Sequence, residues 1–147
     1  MDDADGLVRR PFDRGRLHFD LVAAVGETKQ YIEFLVGREG EFDILAASVV
    51  KRVKKQMDYG NCSLIWVLPY MKAEFRDNEK EFLEYFDDVE ICEQSAKAHF
   101  KSAMQIRNRV MVDKSDLIIC CIQHKSGGAY KTVQYAQKQG QTIINIA

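Results

Sequence analysis

The last third of the chain alternates between two hydrophobic periods. Apolar side chains recur at helical spacing in residues 97–114 and again in 129–138, whereas residues 116–122 and 142–146 are short apolar runs. Glycines separate the second helical segment from both apolar runs. This order of helix, strand, turn, helix and strand is typical of a parallel sheet with crossover helices.

The middle of the chain continues the same alternation of strands and helices. Residues 62–68 form a near-continuous apolar run before Pro69, which indicates a strand buried on both faces. The remaining predicted elements are a strand at 31–36, a turn at 37–41, an amphipathic helix at 42–57, a short acidic helix at 79–86 and a short strand at 88–92. The pattern predicts an α/β fold, a Rossmann-like three-layer sandwich with a mainly parallel sheet.

The N-terminal residues are interpreted separately. Residues 1–14 have little apolar pattern and are predicted to be a loose arm, and Leu17 and Leu21 begin a helical pattern that runs to about residue 29. Residues 15–147 then form one domain, because 147 residues with 46% hydrophobic composition suit a single core.

Charge and hydropathy exclude several classes of protein. The 21 Lys and Arg residues against 22 Asp and Glu residues give a net charge of −1 without a long single-sign run, so no nucleic-acid partner is predicted. The sequence has neither a hydrophobic signal core nor an apolar run of the roughly 20 residues that a membrane span needs. We therefore expect a cytoplasmic protein with no membrane partner.

Cysteine and histidine spacing does not indicate a metal site. Cys62, Cys92, Cys120 and Cys121 show no CxxC spacing, and no histidine accompanies them at ligand spacing. We interpret the cysteines as small hydrophobic residues and expect no metal and no cofactor.

Arg107 stands out within the helix predicted at 97–114. It falls in the middle of the apolar stripe, which consists of Phe100, Ala103, Met104, Val110 and Met111, whereas Arg109 points the opposite way. A guanidinium aimed into a core needs a carboxylate, phosphate or carbonyl partner. We favour a ligand contact; the alternatives are a snorkelling stem or an internal ion pair with Glu39, Asp43 or Asp116.

Two glycine turns follow predicted strands and open predicted helices. Ser126, Gly127 and Gly128 form one turn, where free backbone N–H groups can approach an anion. Gly37 and Gly40 form the other, with Asp43 in the first helical turn, where its charge also favours the helix dipole. Lys125 and Lys131 could serve a phosphate or remain solvated.

Four segments together resemble the SLOG superfamily, which is named for the Smf/DprA and Lonely Guy proteins. They are FLVGREGEFD, VLPY, RNRVMVDKSDLIICCI and GGAYKTVQYAQKQGQTIIN. The resemblance spans about residues 31–147 and is greatest to small bacterial and phage-borne members. It implies a Rossmann-like fold that binds nucleotides or nucleotide-derived ligands, in members that range from enzymes through DNA-binding proteins to sensors.

MQIRNRVMVDKSD is similar to the Lonely Guy pattern that precedes PGGxGTxxE. The positions that match this pattern are Arg107, Met111, Asp116, Gly127 and Gly128. Gln134 stands where that family has its catalytic glutamate, and an amide cannot take up a proton as a carboxylate does. Tyr130 and Lys131 replace its Gly-Thr, and residues 7–12 substitute poorly for the first strand of related members. The resemblance therefore implies that the first strand is missing. In that case either another subunit completes the site or the homologue is degenerate.

The sequence therefore predicts binding or sensing of a nucleotide or nucleotide-derived small molecule, with no catalytic residue assigned. The predicted ligand-binding residues are Gly37, Glu39, Gly40, Asp43, Arg107, Asn108, Ser126, Gly127 and Gly128. The alternative is a nucleoside-monophosphate N-glycosidase that uses Arg107 with Glu39 or Asp43. A third hypothesis is an inert interaction module, and homo-oligomerisation remains open.

Overall fold

The computed structural model describes residues 31–56 and 62–147, together with Leu17 and Leu21. The strands are β1 Ile32–Val36, β2 Cys62–Leu68, β3 Asp88–Ile91, β4 Leu117–Cys120 and β5 Thr142–Asn145. The helices between them are α1 Glu41–Gln56, α2 Ala73–Asp77, α3 Glu79–Tyr85, α4 Glu93–Ala96, α5 Phe100–Asp113 and α6 Gly128–Lys138.

Every strand pair among the described residues is parallel. β1, β2 and β3 form one sheet in that order, in which Ile32 lies opposite Cys62 and Ile65 lies opposite Asp88. β4 and β5 form a second sheet, in which Leu117 lies opposite Thr142. The predicted α/β class with parallel strands is confirmed, with the strands divided between two sheets.

β2 occupies the centre of the fold because it is apolar on both faces. On one face of β2, Leu64, Trp66 and Leu68 pack in the same cluster as Val49 and Val53 of α1. On the other face, Val67 packs with Val110 of α5. Alternate residues of a strand point to opposite faces, so one helix layer covers each face of β2. This arrangement is the predicted three-layer sandwich.

Trp66 is the centre of an aromatic cluster on the α1 side of the sheet. Its ring is fully buried and lies 5.8 Å from Phe75, 4.8 Å from Phe82 and 5.5 Å from Phe86, measured between centroids. The Arg38 guanidinium lies 5.9 Å from the same ring. The short helices α2 and α3 are therefore held to the core by their phenylalanines.

Several predictions at the level of single elements need correction. Phe100 is 64% exposed rather than part of the buried stripe, because it is the first residue of α5 and its ring stacks on His99 instead of the sheet. Helices α2 and α4 were not predicted, since each is too short to show a helical period.

The N-terminal predictions fall almost wholly outside the described residues. This applies to the arm at residues 1–14, to residues 7–12 as a poor substitute for a first strand, and to most of the helix predicted up to residue 29. Leu17 and Leu21 are helical and buried in the main core. In the part of the chain that the structure describes, no helix has the length and apolar character of a membrane span.

Candidate functional site

A cavity of about 470 Å³ lies along β4. Every residue from Leu117 to Ile122 lines it. Since successive side chains of a strand point to opposite faces, an unbroken run of lining residues means that an edge of β4 faces the cavity. Leu35 of β1 lines it as well, so the cavity touches both sheets.

The cavity collects most of the predicted ligand-binding residues. Those that line it are Gly37, Glu39, Gly40, Asp43, Arg107, Asn108 and Gly128. Ser126 and Gly127 are exposed and do not line it. The two glycine turns, about ninety residues apart in sequence, thus meet at one site, although the strands that precede them, β1 and β4, belong to different sheets.

Arg107 is 2% exposed, and its guanidinium is fully occupied by protein groups. Nη2 donates to Glu39 Oε1 at 2.7 Å, Nη1 donates to the Val67 carbonyl at 2.8 Å and to Glu39 Oε2 at 3.4 Å, and Nε donates to Asn108 Oδ1 at 2.9 Å. Met104 Sδ lies 3.9 Å from Nη2. The arrangement matches the alternative hypothesis of an internal ion pair, with Glu39 as the partner.

Gly37 makes this ion pair possible. A Cβ at Gly37 would stand 2.7 Å from Glu39 Oε1, closer than real Cβ contacts allow, and 3.2 Å from Arg107 Nη1, which is a tight contact. Gly37 has no positive φ, so the reason for glycine here is space for the pair. At Gly40 the nearest atom to such a Cβ would be Asp43 Oδ2 at 4.0 Å, which is an ordinary contact.

Glu39 is held as a carboxylate by two cations. Its side chain is 21% exposed and also pairs with Lys72 Nζ at 3.2 Å. Burial raises the pKa of Glu39, but the hydrogen bonds and charge of Arg107 and the charge of Lys72 outweigh burial, so this pKa lies below its usual value. Glu39 is therefore an ionised partner of Arg107 rather than a proton donor.

Asp43 is the described carboxyl group of the cavity whose pKa is raised toward neutral pH. Burial and the nearby charge of Glu39 raise its pKa to about 6, although the charge of Arg107 and a hydrogen bond from the Gly40 N–H act in the opposite direction. The Gly40 N–H thus donates to an acidic side chain of the protein. It is therefore not free for the binding of a ligand anion that the sequence predicted.

The N-terminus of α6 presents unpaired donors to the cavity. Gly127 has φ +94°, and among the described residues the N–H groups of Gly128, Ala129 and Tyr130 have no hydrogen-bond partner. Gly128 and Ala129 line the cavity. These amides and the positive end of the helix dipole can bind an anion. Lys125 and Lys131 do not line the cavity.

A chain of hydrogen bonds connects the two glycine turns. Asn108 accepts from Arg107 and donates through Nδ2 to Thr132 Oγ1 at 3.2 Å, and Thr132 donates to the Gly128 carbonyl at 3.0 Å. Gln105 also donates to this carbonyl at 3.1 Å. Glu39, Arg107 and Asn108 therefore fix α5 against both turns.

Sequence reasoning missed Thr132 and Gln105. Thr132 lies one helical turn after Gly128, and Gln105 lies just before the RNRVM motif, but exposed helices often carry such residues and nothing in their spacing marks them. Their roles depend on contacts across α5 and α6.

Other groups contribute little chemistry. Gln134 is exposed, donates to the Tyr130 hydroxyl at 3.1 Å and does not line the cavity. Cys120 and Cys121 line it, but burial raises the pKa of both thiols, that of Cys120 to about 11, so neither is a thiolate nucleophile at neutral pH. The described residues contain no group of three His, Cys, Asp or Glu side chains that could hold a metal ion.

Comparison with known proteins adds little. The sequence matches no protein-family model and no curated protein sequence. Among solved structures, the E-1-hydroxy-2-methyl-but-2-enyl-4-diphosphate reductase from Plasmodium falciparum is similar at a TM-score of 0.26 and 15% identity, over 90% of this chain and 45% of that chain. The chain thus spans less than half the length of the reductase, and a likeness at this level supports no statement about activity.

Proposed function

We propose that the cavity binds a nucleotide or nucleotide-derived small molecule, and that the protein acts in ligand binding or sensing rather than turnover. The observation that carries the proposal is the position of the unpaired Gly128 and Ala129 amides on the wall of a cavity beside parallel strands. In open parallel α/β sheets, ligands bind at the carboxyl ends of strands and phosphates bind at helix N-termini. A volume of about 470 Å³ lies within the usual range for small-molecule sites.

The resemblance to the SLOG superfamily supports the same proposal. GREGEFD, RNRVM and SGGA, the segments that resemble its motifs, contribute Asp43, Arg107 and Gly128 to the wall of one cavity. We therefore also propose membership of this superfamily.

Isothermal titration calorimetry with nucleoside monophosphates and the matching nucleosides tests the proposal. The phosphate should add at least about tenfold in affinity, as expected for hydrogen bonds to a charged group. Gly128→Ala should reduce this increment, because the added Cβ stands beside the unpaired amides and 3.1 Å from Gln105 Nε2, which must move by a few tenths of an ångström. Gln134→Ala is the control, since Gln134 is exposed on the same helix and does not line the cavity.

Gly128→Ala is a better variant than a change at Gly127. A Cβ at Gly127 meets no atom within 4 Å, but φ +94° is strained for any other residue. Equal affinity of the wild-type protein for nucleotides and nucleosides would contradict a phosphate at α6. Absence of binding to all of them would contradict the proposed function.

A second candidate function is a nucleoside-monophosphate N-glycosidase. Asp43 favours it, because a carboxyl whose pKa is about 6 can protonate a leaving base near neutral pH. In such a reaction the bond from C1′ to the base nitrogen breaks, the base takes the Asp43 proton, and water adds hydroxide to C1′ while returning a proton to Asp43. Chromatographic detection of free base that disappears in Asp43→Asn would establish the enzyme; we expect none.

A further inference from the structure

The charges on the described wall of the cavity do not balance. Its charged side chains are Glu39, Asp43 and Arg107. Arg107 pairs with Glu39 across a 2.7 Å contact, and Lys72, which does not line the cavity, pairs with Glu39 at 3.2 Å, so both of these cations are placed on Glu39. The charge of Arg107 is near enough to lower the pKa of Asp43, but no cation of the described residues forms an ion pair with the Asp43 carboxylate.

Asp43 also has hydrogen-bonding capacity that the described protein does not fill. The described donor to its carboxyl is the Gly40 N–H. A carboxylate has about four acceptor positions, and both of its oxygens can accept at once. A ligand in the cavity can therefore bind Asp43 by presenting two N–H groups side by side.

We propose that Asp43 recognises a guanine-type base, in which the ring N1–H and the 2-amino group are adjacent donors. This inference rests on the proposed nucleotide-binding function and specifies its ligand class. Adenine and cytosine place an acceptor beside their amino group, and that acceptor repels an ionised carboxylate. Uracil and hypoxanthine offer a single ring N–H.

The acceptors and donors on the wall assign the two ends of the ligand. Asp43 offers acceptors, whereas the α6 turn offers backbone donors and the positive end of a helix dipole. A nucleotide has N–H donors on its base and an anion at its phosphate. The base then lies at Asp43 and the phosphate lies at Gly128 and Ala129.

Calorimetric titration of the full chain with GMP, IMP and AMP at pH 7.5 tests the inference. We expect GMP to bind at least about tenfold more tightly than IMP, which lacks the 2-amino group, and more tightly still than AMP. The three ligands share one phosphate, so their ratios report the base alone.

Asp43→Asn should remove the preference for GMP while leaving the phosphate increment in place. Asparagine keeps one acceptor but turns an amide donor toward the N1–H or the 2-amino group. Ser48→Ala on the same helix is the control, because the Ser48 hydroxyl donates to the Leu45 carbonyl within α1. This variant should keep the wild-type ratios.

The ratio of GMP to AMP affinity should also fall as the pH decreases from 7.5 to 5. Protonation of Asp43 converts one acceptor into a donor, and titration of the phosphate cancels in the ratio. Among the described residues, the charged groups that face Asp43 are Glu39 and Arg107. Glu39→Gln should shift the transition to lower pH by removing a neighbouring negative charge.

The outcomes separate this inference from the proposed function. Equal binding of GMP, IMP and AMP, or a GMP preference that survives in Asp43→Asn, would overturn the role of Asp43 and leave nucleotide binding intact. A preference for AMP that strengthens at low pH would show that a protonated Asp43 hydrogen-bonds to adenine. That result would also overturn the proposed recognition of guanine. No binding of any of the three would overturn both.

Discussion

Arg107 and Glu39 form an ion pair 68 residues apart in sequence, and Gly37 leaves the space in which it forms. The Arg107 side chain is 3% exposed and that of Glu39 is 21% exposed. A pair at this depth is costly to break, because removal of either member leaves the other desolvated without its charge.

Gly37→Ala should destabilise the protein by about 2–3 kcal/mol, because the new Cβ would stand 2.7 Å from Glu39 Oε1 and forces the pair apart. Urea denaturation measures this loss. Gly40→Ala in the same turn is the matched control and should change the free energy of unfolding by less than about 1 kcal/mol, since its Cβ would meet nothing closer than 4.0 Å. Similar losses in both variants would contradict this role for Gly37.

Arg107→Met should lower the free energy of unfolding by about 2–3 kcal/mol in the absence of any ligand, because it leaves the Glu39 carboxylate and the Val67 carbonyl without this donor. Lys72 still neutralises part of the Glu39 charge and limits the loss. Adding Glu39→Gln should restore part of the stability.

The control for Arg107 is Arg109→Met. Arg109 is exposed and lies over the Tyr135 ring at 5.3 Å, so its loss should cost about 0.5 kcal/mol. If Arg107→Met were as stable as the wild-type protein, the guanidinium would have to be reserved for a ligand.

Asp43→Asn should become more stabilising, relative to the wild-type protein, as the pH rises from about 4 to about 6. The pKa of Asp43 is raised in the folded protein from 3.8 to about 6, so its favourable contribution is present below the lower value and is lost as the pH rises through the higher one. Above pH 6 the gain should level off at about 3 kcal/mol. Denaturation at a series of pH values measures it.

Asp87→Asn should show the opposite pH dependence. Burial raises the pKa of Asp87, but the Leu64 N–H and Lys54 lower it further than burial raises it, so the ionised form stabilises the folded protein. The variant should be less stable than the wild-type protein at neutral pH, and the deficit should shrink as the pH falls below about 4. The same slope in both aspartate variants would contradict the assigned causes.

Thr132→Val should reduce stability by about 1 kcal/mol and loosen the α6 turn. The variant keeps the shape of the side chain but removes the acceptor for Asn108 Nδ2 and the donor to the Gly128 carbonyl. Hydrogen exchange at the Lys131 amide, which donates to the Gly127 carbonyl, should quicken. Unchanged exchange would mean that Gln105 alone fixes this turn.

Local patterns in the sequence predict much of the fold. The apolar run before Pro69 predicted β2 with the observed bounds, because a strand buried on both faces leaves a continuous signal in the sequence. The helical period predicted α5 and its buried Arg107. The start of α5 was predicted three residues early, since helix ends depend on caps such as His99 rather than on the period.

The partners in the site could not be read from such patterns. Gly37 and Gly40 look alike in sequence, yet one makes space for an ion pair and the other donates its N–H to Asp43. The choice of Glu39 over Asp43 or Asp116 as the partner of Arg107 depends on how β1 and α5 meet across β2. That contact is set by tertiary packing, for which a single sequence has no periodic signal.

Trp66 gives the protein a built-in optical probe. It is the one tryptophan in the chain, its ring is fully buried among phenylalanines, and the Arg38 guanidinium lies 5.9 Å from it. Indole emission is sensitive both to water and to a nearby positive charge. Because Arg38 directly precedes Glu39, a ligand that moves the turn after β1 should change the colour or yield of native fluorescence, and unfolding should shift it to the red.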